Sequence, residues 1–231
     1  MKFGVIVFPG SNCDRDLMLA VERVTGYPAI PLWHKDTDLH NCDFIFLPGG
    51  FSYGDYLRSG AIAKLSPVMM RVKEFASNGG YVMGICNGFQ ILCESGLLEG
   101  ALLRNNGMKF ICDNVYLVPQ NRSIVTADLS AERPLKIPIA HGEGRYYAND
   151  ETLKKLNDKE QVLFRYCDAD GKINAASNPN GSLENIAGIC NEGRNVFGMM
   201  PHPERAADPV LFNTDGSSVL RSIINNVMQF V

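Results

Sequence analysis

The sequence predicts an α/β fold, with an open, mostly parallel sheet, helices on both faces and an added antiparallel segment. Short apolar runs rich in β-branched residues alternate with stretches of helical spacing. That rhythm is typical of a parallel sheet covered by helices. The middle of the chain, about residues 113–189, differs, because its apolar runs are separated by Pro, Asn and Gly. This pattern predicts antiparallel strands and hairpins attached to the main sheet.

The individual elements follow from local signals along the chain. The first strand, Lys2–Phe8, ends in a Pro-Gly turn, and a helix follows over Asp14–Thr25. Asn12 is the expected N-cap of this helix and Gly26 its expected stop. The other predicted elements are strands at Ala29–Trp33, Phe44–Leu47, Tyr81–Ile85 and Val196–Met200, and helices at Ser66–Ala76, Asn87–Ser95 and Ser217–Phe230.

Composition narrows the class of protein. The 231 residues predict a single domain over 1–231, and the net charge of −3 gives no reason to expect nucleic acid or membrane as a partner. The first apolar run, Phe3–Phe8, is too short for a membrane span or a signal-peptide core, so a cytoplasmic protein is expected. The seven cysteines form no CxxC pair, which argues against a disulfide framework and against a metal site.

Cys86 is the candidate nucleophile. It lies in the segment Gly84–Gln90, where a predicted strand meets a predicted helix and glycines permit a sharp turn. Backbone N–H groups at a helix start favour a thiolate, and that of Asn87 is placed to hold an oxyanion. A cysteine without this context is usually a buried structural thiol, and the other six are interpreted so. Cys13 is a partial exception, since it also precedes a helix.

His202 is the candidate base for Cys86. It follows the last predicted strand and has a proline on either side. Glu204 lies two residues on, and in an extended segment such side chains point the same way, so its carboxylate can orient the imidazole. The sequence therefore predicts a triad of Cys86, His202 and Glu204. A rigid turn histidine is the alternative for His202.

The other three histidines have weaker cases. His40 lies in a polar loop and is expected to be solvated. His34 ends a strand and fits a packing role. His141 begins a polar, glycine-rich stretch that favours a pocket or an interface, with a hairpin turn as the alternative.

A glycine pair after the third strand is the candidate oxyanion loop. Gly49 and Gly50 let the backbone approach a ligand and aim N–H groups at it, including that of Phe51. With Asn87 and Gln90 they form the predicted oxyanion and substrate-binding set. The chain has no GxxxxGK[ST] loop and hence no predicted ATP cradle.

These segments together resemble class I, triad-type glutamine amidotransferases. Gly84–Gln90 matches the nucleophile motif of that family, His202–Glu204 its His-Glu pair and Pro48–Gly50 its oxyanion loop. Finer matches indicate the members that serve purine synthesis; these are Pro9–Asp14, Phe51–Asp55, His141–Arg145, Asn178–Ser182 and Gly198–Arg205. Met200 and Pro201 stand where the wider family often has Gln and an aromatic residue, in agreement with that subgroup.

The resemblance implies glutamine hydrolysis through a Cys86 thioester. It also implies that ammonia passes to a large synthetase subunit, which converts formylglycinamide ribonucleotide to formylglycinamidine ribonucleotide, with a small bridging subunit beside it. The implied cofactors, ATP and Mg²⁺, belong to the synthetase, and none is expected in this chain.

Three alternatives stay open at this point. One is the glutaminase subunit of another biosynthetic pathway, with the same chemistry and a different partner. The second is a cysteine hydrolase or stress protein of the DJ-1/PfpI type. Those typically carry His directly after the nucleophile, where this chain has Asn87. The third is a regulatory subunit without catalysis, which the intact triad argues against.

Overall fold

The computed structural model describes residues 1–227, and its centre is a nine-stranded mixed sheet. The strands within residues 1–227 are β1 Phe3–Val7, β2 Ala29–Trp33, β3 Phe44–Leu47, β4 Tyr81–Ile85, β5 Ala101–Leu103, β6 Ile111–Pro119, β7 Leu135–His141, β8 Arg145–Tyr147, β9 Val162–Cys167, β10 Ile186–Cys190 and β11 Val196–Met199. The α-helices in the same described part of the chain are α1 Asp14–Thr25, α2 Pro67–Ser77, α3 Asn87–Glu94, α4 Asp150–Asp158 and α5 Asp215–Val227.

The sheet order is β2-β1-β3-β4-β11-β10-β9-β6-β7. The first five strands are parallel, and every pair from β11 to β7 is antiparallel. The connections through α1 and α2 run in opposite directions along the sheet, so right-handed crossovers place these helices on opposite faces. The predicted α/β class with an antiparallel segment is confirmed. That segment continues the main sheet, while β5 and β8 form a separate two-stranded sheet.

The structure also corrects local predictions. Helix α4, capped by the Asn149 side chain, lies inside the segment predicted to contain only strands and hairpins. The helix has only 9 residues, most of them polar, and it buries only Leu156, so few apolar residues were there to indicate it. Cys13, not Asn12, is the N-cap of α1, and its side chain makes no capping hydrogen bond. The predicted closing helix extends to residue 230, and its last three positions lie outside the described residues.

Helix α3 sits unusually close to the sheet. A Cβ atom added to Gly88 would lie 2.0 Å from the carbonyl oxygen of Leu47, and one added to Gly84 would lie 2.5 Å from the Gly88 carbonyl. Only glycine at these two positions lets the first turn of α3 rest on the ends of β3 and β4. The residue between β4 and α3 is thereby fixed at the carboxyl edge of the parallel strands, where open α/β sheets bind ligands.

Within residues 1–227, none of the helices is both long and apolar enough to cross a membrane.

Candidate active site

Cys86 occupies the sharp turn between β4 and α3. Its backbone has φ 50° and ψ −106°, a left-handed conformation that is strained for a side chain other than glycine. The Cys86 N–H donates to the Met199 carbonyl at 2.8 Å, which anchors the turn to β11. The side chain is 5 % exposed, and its thiol lies 3.7 Å from the Ala140 carbonyl oxygen. This is the geometry of a nucleophile elbow.

His202 and Glu204 form a buried pair beside this turn. His202 Nδ1 lies 2.6 Å from Glu204 Oε1. The expectation of an extended segment is wrong, because Glu204 lies in a 3₁₀ turn, Pro203–Ala206, which His202 precedes. The turn still brings the carboxylate to the imidazole, and the His202 N–H donates to the Pro138 carbonyl at 2.8 Å.

The electrostatics favour a charged imidazole. Burial alone lowers the pKa of His202, but the Glu204 carboxylate and the Cys86 sulfur outweigh it and hold that pKa well above its usual value. His202 Nε2 is buried and has no hydrogen-bond partner within residues 1–227. With Nδ1 committed to Glu204, Nε2 is the nitrogen left for proton transfer.

The oxyanion loop differs in detail from the sequence prediction. The Phe51 N–H donates to the Gly10 carbonyl at 3.1 Å, so in this conformation it is not free to hold an oxyanion. A Cβ atom on Gly49 would lie 2.6 Å from His202 Cε1, so this glycine packs directly on the imidazole. Within the described residues the Gly50 N–H has no acceptor, and the Asn87 N–H lies in a first helical turn, where such groups lack helical partners. These two remain the candidate donors.

The side chains of Asn87 and Gln90 connect the elbow to its surroundings. Asn87 accepts from the Ser52 N–H at 3.1 Å and donates to Gln90 Oε1 at 2.9 Å and to Asp55 Oδ1 at 3.3 Å. Gln90 donates to the Glu143 carbonyl at 2.6 Å. Asn87 is fully buried, and its side chain ties the loop of Ser52 and Asp55 to α3 rather than facing a substrate.

A cavity of about 360 Å³ opens beside the Cys86 thiol. That volume is in the range of small-molecule sites. Its lining includes Gly50, Phe51 and Gln90 from the predicted set, together with the unpredicted Asp55, Ser59, Arg104 and Glu143. His202 and Glu204 line a second, larger cavity of about 930 Å³, and Ala140 lines both cavities.

His141 is buried in a polar network at the end of β7. Its Nδ1 lies 3.1 Å from Asn105 Oδ1, and its Nε2 lies 3.5 Å from Asn180 Nδ2. Burial, and secondarily the charge of His202, lower the pKa of His141 to about 4. The imidazole is therefore neutral near pH 7, with Nδ1–H donating to Asn105, and it fixes the loop that carries Glu143.

A stability difference between pH 4 and 6.5 is expected from this histidine. The unfolded chain protonates His141 near 6.5 and the folded chain near 4, so the contribution of the neutral imidazole is lost as pH falls through that window, by up to about 3 kcal/mol. The check is the free energy of urea unfolding of the wild type minus that of His141→Gln, measured at pH 7 and at pH 4.5. The glutamine side chain is neutral at both. The difference shrinks from pH 7 to pH 4.5; a constant difference would contradict the assignment.

Cys13 and His34 both lie near the site. Cys13 Sγ lies 3.0 Å from Arg205 Nη2 and is 2 % exposed. His34 Nδ1 lies 2.7 Å from the Tyr53 hydroxyl, which anchors the loop after Gly50. His34 thus has the predicted packing role. His40 is exposed, as expected.

Comparison with known proteins identifies the family of this chain. A family model described as CobB/CobQ-like glutamine amidotransferase domain matches residues 1–227. The chain belongs to this glutamine amidotransferase family. One relative, a phosphoribosylformylglycinamidine synthase subunit PurQ from Koribacter versatilis, is 56 % identical over 97 % of this chain and 97 % of its own. A PurQ subunit from Acaryochloris marina is 54 % identical over 99 % of this chain and 97 % of its own.

The fold is shared with a solved complex. The structure of PurLQS from Thermotoga maritima contains a chain that is 43 % identical, with a TM-score of 0.84 and coverage of 98 % of both chains. The predicted family is thereby confirmed. The relatives named above are PurQ subunits rather than members of the alternative classes that the sequence left open.

Proposed function

We propose that this chain is the glutaminase subunit of a phosphoribosylformylglycinamidine synthase and that Cys86 is its nucleophile. The observation that carries the proposal is Cys86, which lies on a strained turn at a cavity, beside the buried His202–Glu204 pair. Relatives that are more than half identical to this chain in sequence bear the PurQ name.

The proposed reaction has two halves. Cys86 Sγ attacks the side-chain amide carbon of glutamine, and the Gly50 and Asn87 N–H groups stabilise the oxyanion. His202 Nε2 gives its proton to the departing nitrogen, which leaves as ammonia and a γ-glutamyl thioester. His202 then takes a proton from water, whose oxygen attacks the thioester carbon and releases glutamate and the thiol. Glu204 orients His202 and stabilises its charged form throughout.

The partner is a large, ATP-dependent synthetase subunit of the PurL type. A small bridging subunit of the PurS type is also proposed. The support is the PurLQS complex, in which the similar chain from Thermotoga maritima occurs. ATP and Mg²⁺ serve the synthetase, this chain needs no cofactor of its own, and the assembly is proposed to work in the cytoplasm.

Reconstitution tests this function. The chain is mixed with a PurL-type and a PurS-type subunit, formylglycinamide ribonucleotide, ATP and Mg²⁺, and formation of formylglycinamidine ribonucleotide is measured. We expect glutamine-dependent product only when this chain is present, and ammonium chloride at alkaline pH should replace both chain and glutamine. A mixture that is active with ammonia and inactive with glutamine plus this chain would refute the proposal.

A further inference from the structure

Three side chains of metal-binding type meet around the imidazole of His202. Cys13, His202 and Glu204 each offer one ligand atom, and these atoms lie within 4.8 Å of one another. All three residues are buried, each at most 4 % exposed. They come from opposite ends of the chain, so the spacing of the cysteines, which argued against a metal site, does not reveal them.

Polar atoms of this cluster are buried without a partner. Glu204 Oε2 and His202 Nε2 have no hydrogen-bond partner within residues 1–227. Glu204 holds His202 Nδ1 with Oε1, so its second oxygen is available to accept a cation. Gly49 keeps side-chain atoms out of the gap between the sulfur and the ring. A Cβ atom there would lie 3.3 Å from Cys13 Sγ and 3.3 Å from His202 Nδ1.

The ligand set suits a divalent cation of the zinc class. Thiolate, imidazole and carboxylate all bind Zn²⁺, whereas Mg²⁺ and Ca²⁺ prefer oxygen alone. Zinc bond lengths place tetrahedral ligand atoms about 3.3–3.6 Å apart, so the three atoms would approach one another by at most about 1.5 Å. Two anionic ligands balance the charge of the ion in this buried place. His202 and Glu204 also line the cavity of about 930 Å³, which provides a path from solvent and room for a water ligand.

Arg205 competes with a cation for the same sulfur. Its Nη2 lies 3.0 Å from Cys13 Sγ, and a positive charge this close opposes a metal ion. Arg205 Nε also lies 3.5 Å from Asp16 Oδ2, and the arginine side chain is 34 % exposed. The guanidinium can therefore leave the sulfur and stay with Asp16. It follows that Arg205 limits how tightly a cation binds.

We propose that Cys13, His202 and Glu204 form an inhibitory site for Zn²⁺. The ion takes His202 Nδ1 in place of the hydrogen that Glu204 accepts, and this proton and that of the Cys13 thiol leave to solvent. The remaining imidazole hydrogen is then held on Nε2, so His202 can no longer take a proton there. The inhibition rests on the proposed glutaminase function, whereas binding of the ion does not. The ion inhibits the reaction and is not a cofactor for it.

Titration with Co²⁺ tests binding without any enzyme activity. Co²⁺ occupies zinc sites, and a thiolate ligand gives it a charge-transfer absorption in the near ultraviolet. The titration compares Cys86→Ser, in which Cys86 cannot contribute, with the double variant Cys13→Ser, Cys86→Ser. We expect the absorption to saturate at one ion per chain in Cys86→Ser and to be lost in the double variant. Equal absorption in both, or none in Cys86→Ser, would overturn the proposal.

Zinc inhibition of glutamine hydrolysis by the assembled complex tests the consequence. Each rate is taken relative to the zinc-free rate of the same variant. The zinc concentration for half inhibition is expected to rise at least about 10-fold in Cys13→Ser, which loses a ligand. It is expected to fall about 10-fold in Arg205→Gln, which keeps all three ligands and loses the competing charge. Cys112→Ser is the matched control, because this exposed cysteine lines the same cavity.

A chelator should restore the rate, and ammonia-dependent synthesis at the same zinc concentration separates any effect on the synthetase. Equal half-inhibition concentrations in wild type and Cys13→Ser would overturn the inhibitory role, because zinc would then act without Cys13. If Cys13→Ser does not fold, Arg205→Gln decides, and inhibition no tighter than in wild type would contradict the proposal. A wild-type complex that cannot use glutamine would instead refute the proposed function, and the Co²⁺ titration would still test the site.

Discussion

Replacement of Cys86 by serine is expected to reduce glutamine-dependent synthesis by at least about 10⁴-fold, as for other enzymes that lose their nucleophile. Serine fits the space of the buried thiol and keeps the backbone of the elbow. A hydroxyl beside His202 is a much weaker nucleophile than a thiolate, so the thioester no longer forms. Synthesis with ammonia in the assembled complex should persist, since that route bypasses Cys86.

Cys93→Ser is the matched control for this variant. Cys93 lies on the same helix, and its thiol contacts the Glu99 carbonyl at 3.8 Å rather than the cavity. Both activities should survive in it. If Cys86→Ser also lost ammonia-dependent synthesis, Cys86 would be needed for assembly or folding, and if it retained glutamine use, the nucleophile would be another group.

Glu204→Gln is expected to lower kcat/KM for glutamine by about 10²- to 10⁴-fold. Glutamine keeps the volume at this buried position, but its amide carries no charge, and its NH₂ group can face His202 Nδ1 and select the wrong tautomer. Loss of the carboxylate also removes the main interaction that raises the pKa of His202. The limb of the kcat/KM profile that reports His202 should therefore move to lower pH in the variant.

The measurement is the pH profile of glutamine hydrolysis by the complex, with Glu151→Gln as control. Glu151 is exposed in the first turn of α4, away from both cavities. An unshifted limb together with a small loss of rate would contradict the role given to Glu204.

Much of the parallel half of the fold was predictable from local pattern. The bounds of α1, β2, β3 and β4 agree residue for residue with the sequence prediction, because each is a short periodic or apolar run. A Gly or Pro directly follows α1 and β3. The elbow was predictable because glycine is sterically required at positions 84 and 88, where a Cβ atom would clash with the backbone. The pairing of His202 with Glu204 was predicted for a wrong reason: a 3₁₀ turn, not an extended segment, joins them.

The remaining features depend on contacts between distant segments. The Phe51 N–H donates to the Gly10 carbonyl, and this hydrogen bond exists only once the two loops have folded together. The loops of Asp55 and Glu143 come close together because Asn87 and Gln90 of α3 each donate a hydrogen bond to one of them. No residue spacing in the sequence predicts this arrangement.

Labelling with 6-diazo-5-oxo-L-norleucine, followed by peptide mass mapping, tests the role of Cys86 most directly. Cys86 and Cys13 are both buried, and both interact with the imidazole of His202, so proximity to the base does not separate them. Of these two cysteines, Cys86 alone lines the cavity of about 360 Å³. The reagent is expected to add to Cys86 alone, in step with the loss of glutamine-dependent activity. An adduct on Cys13, with Cys86 unmodified in the inactivated protein, would contradict the assignment.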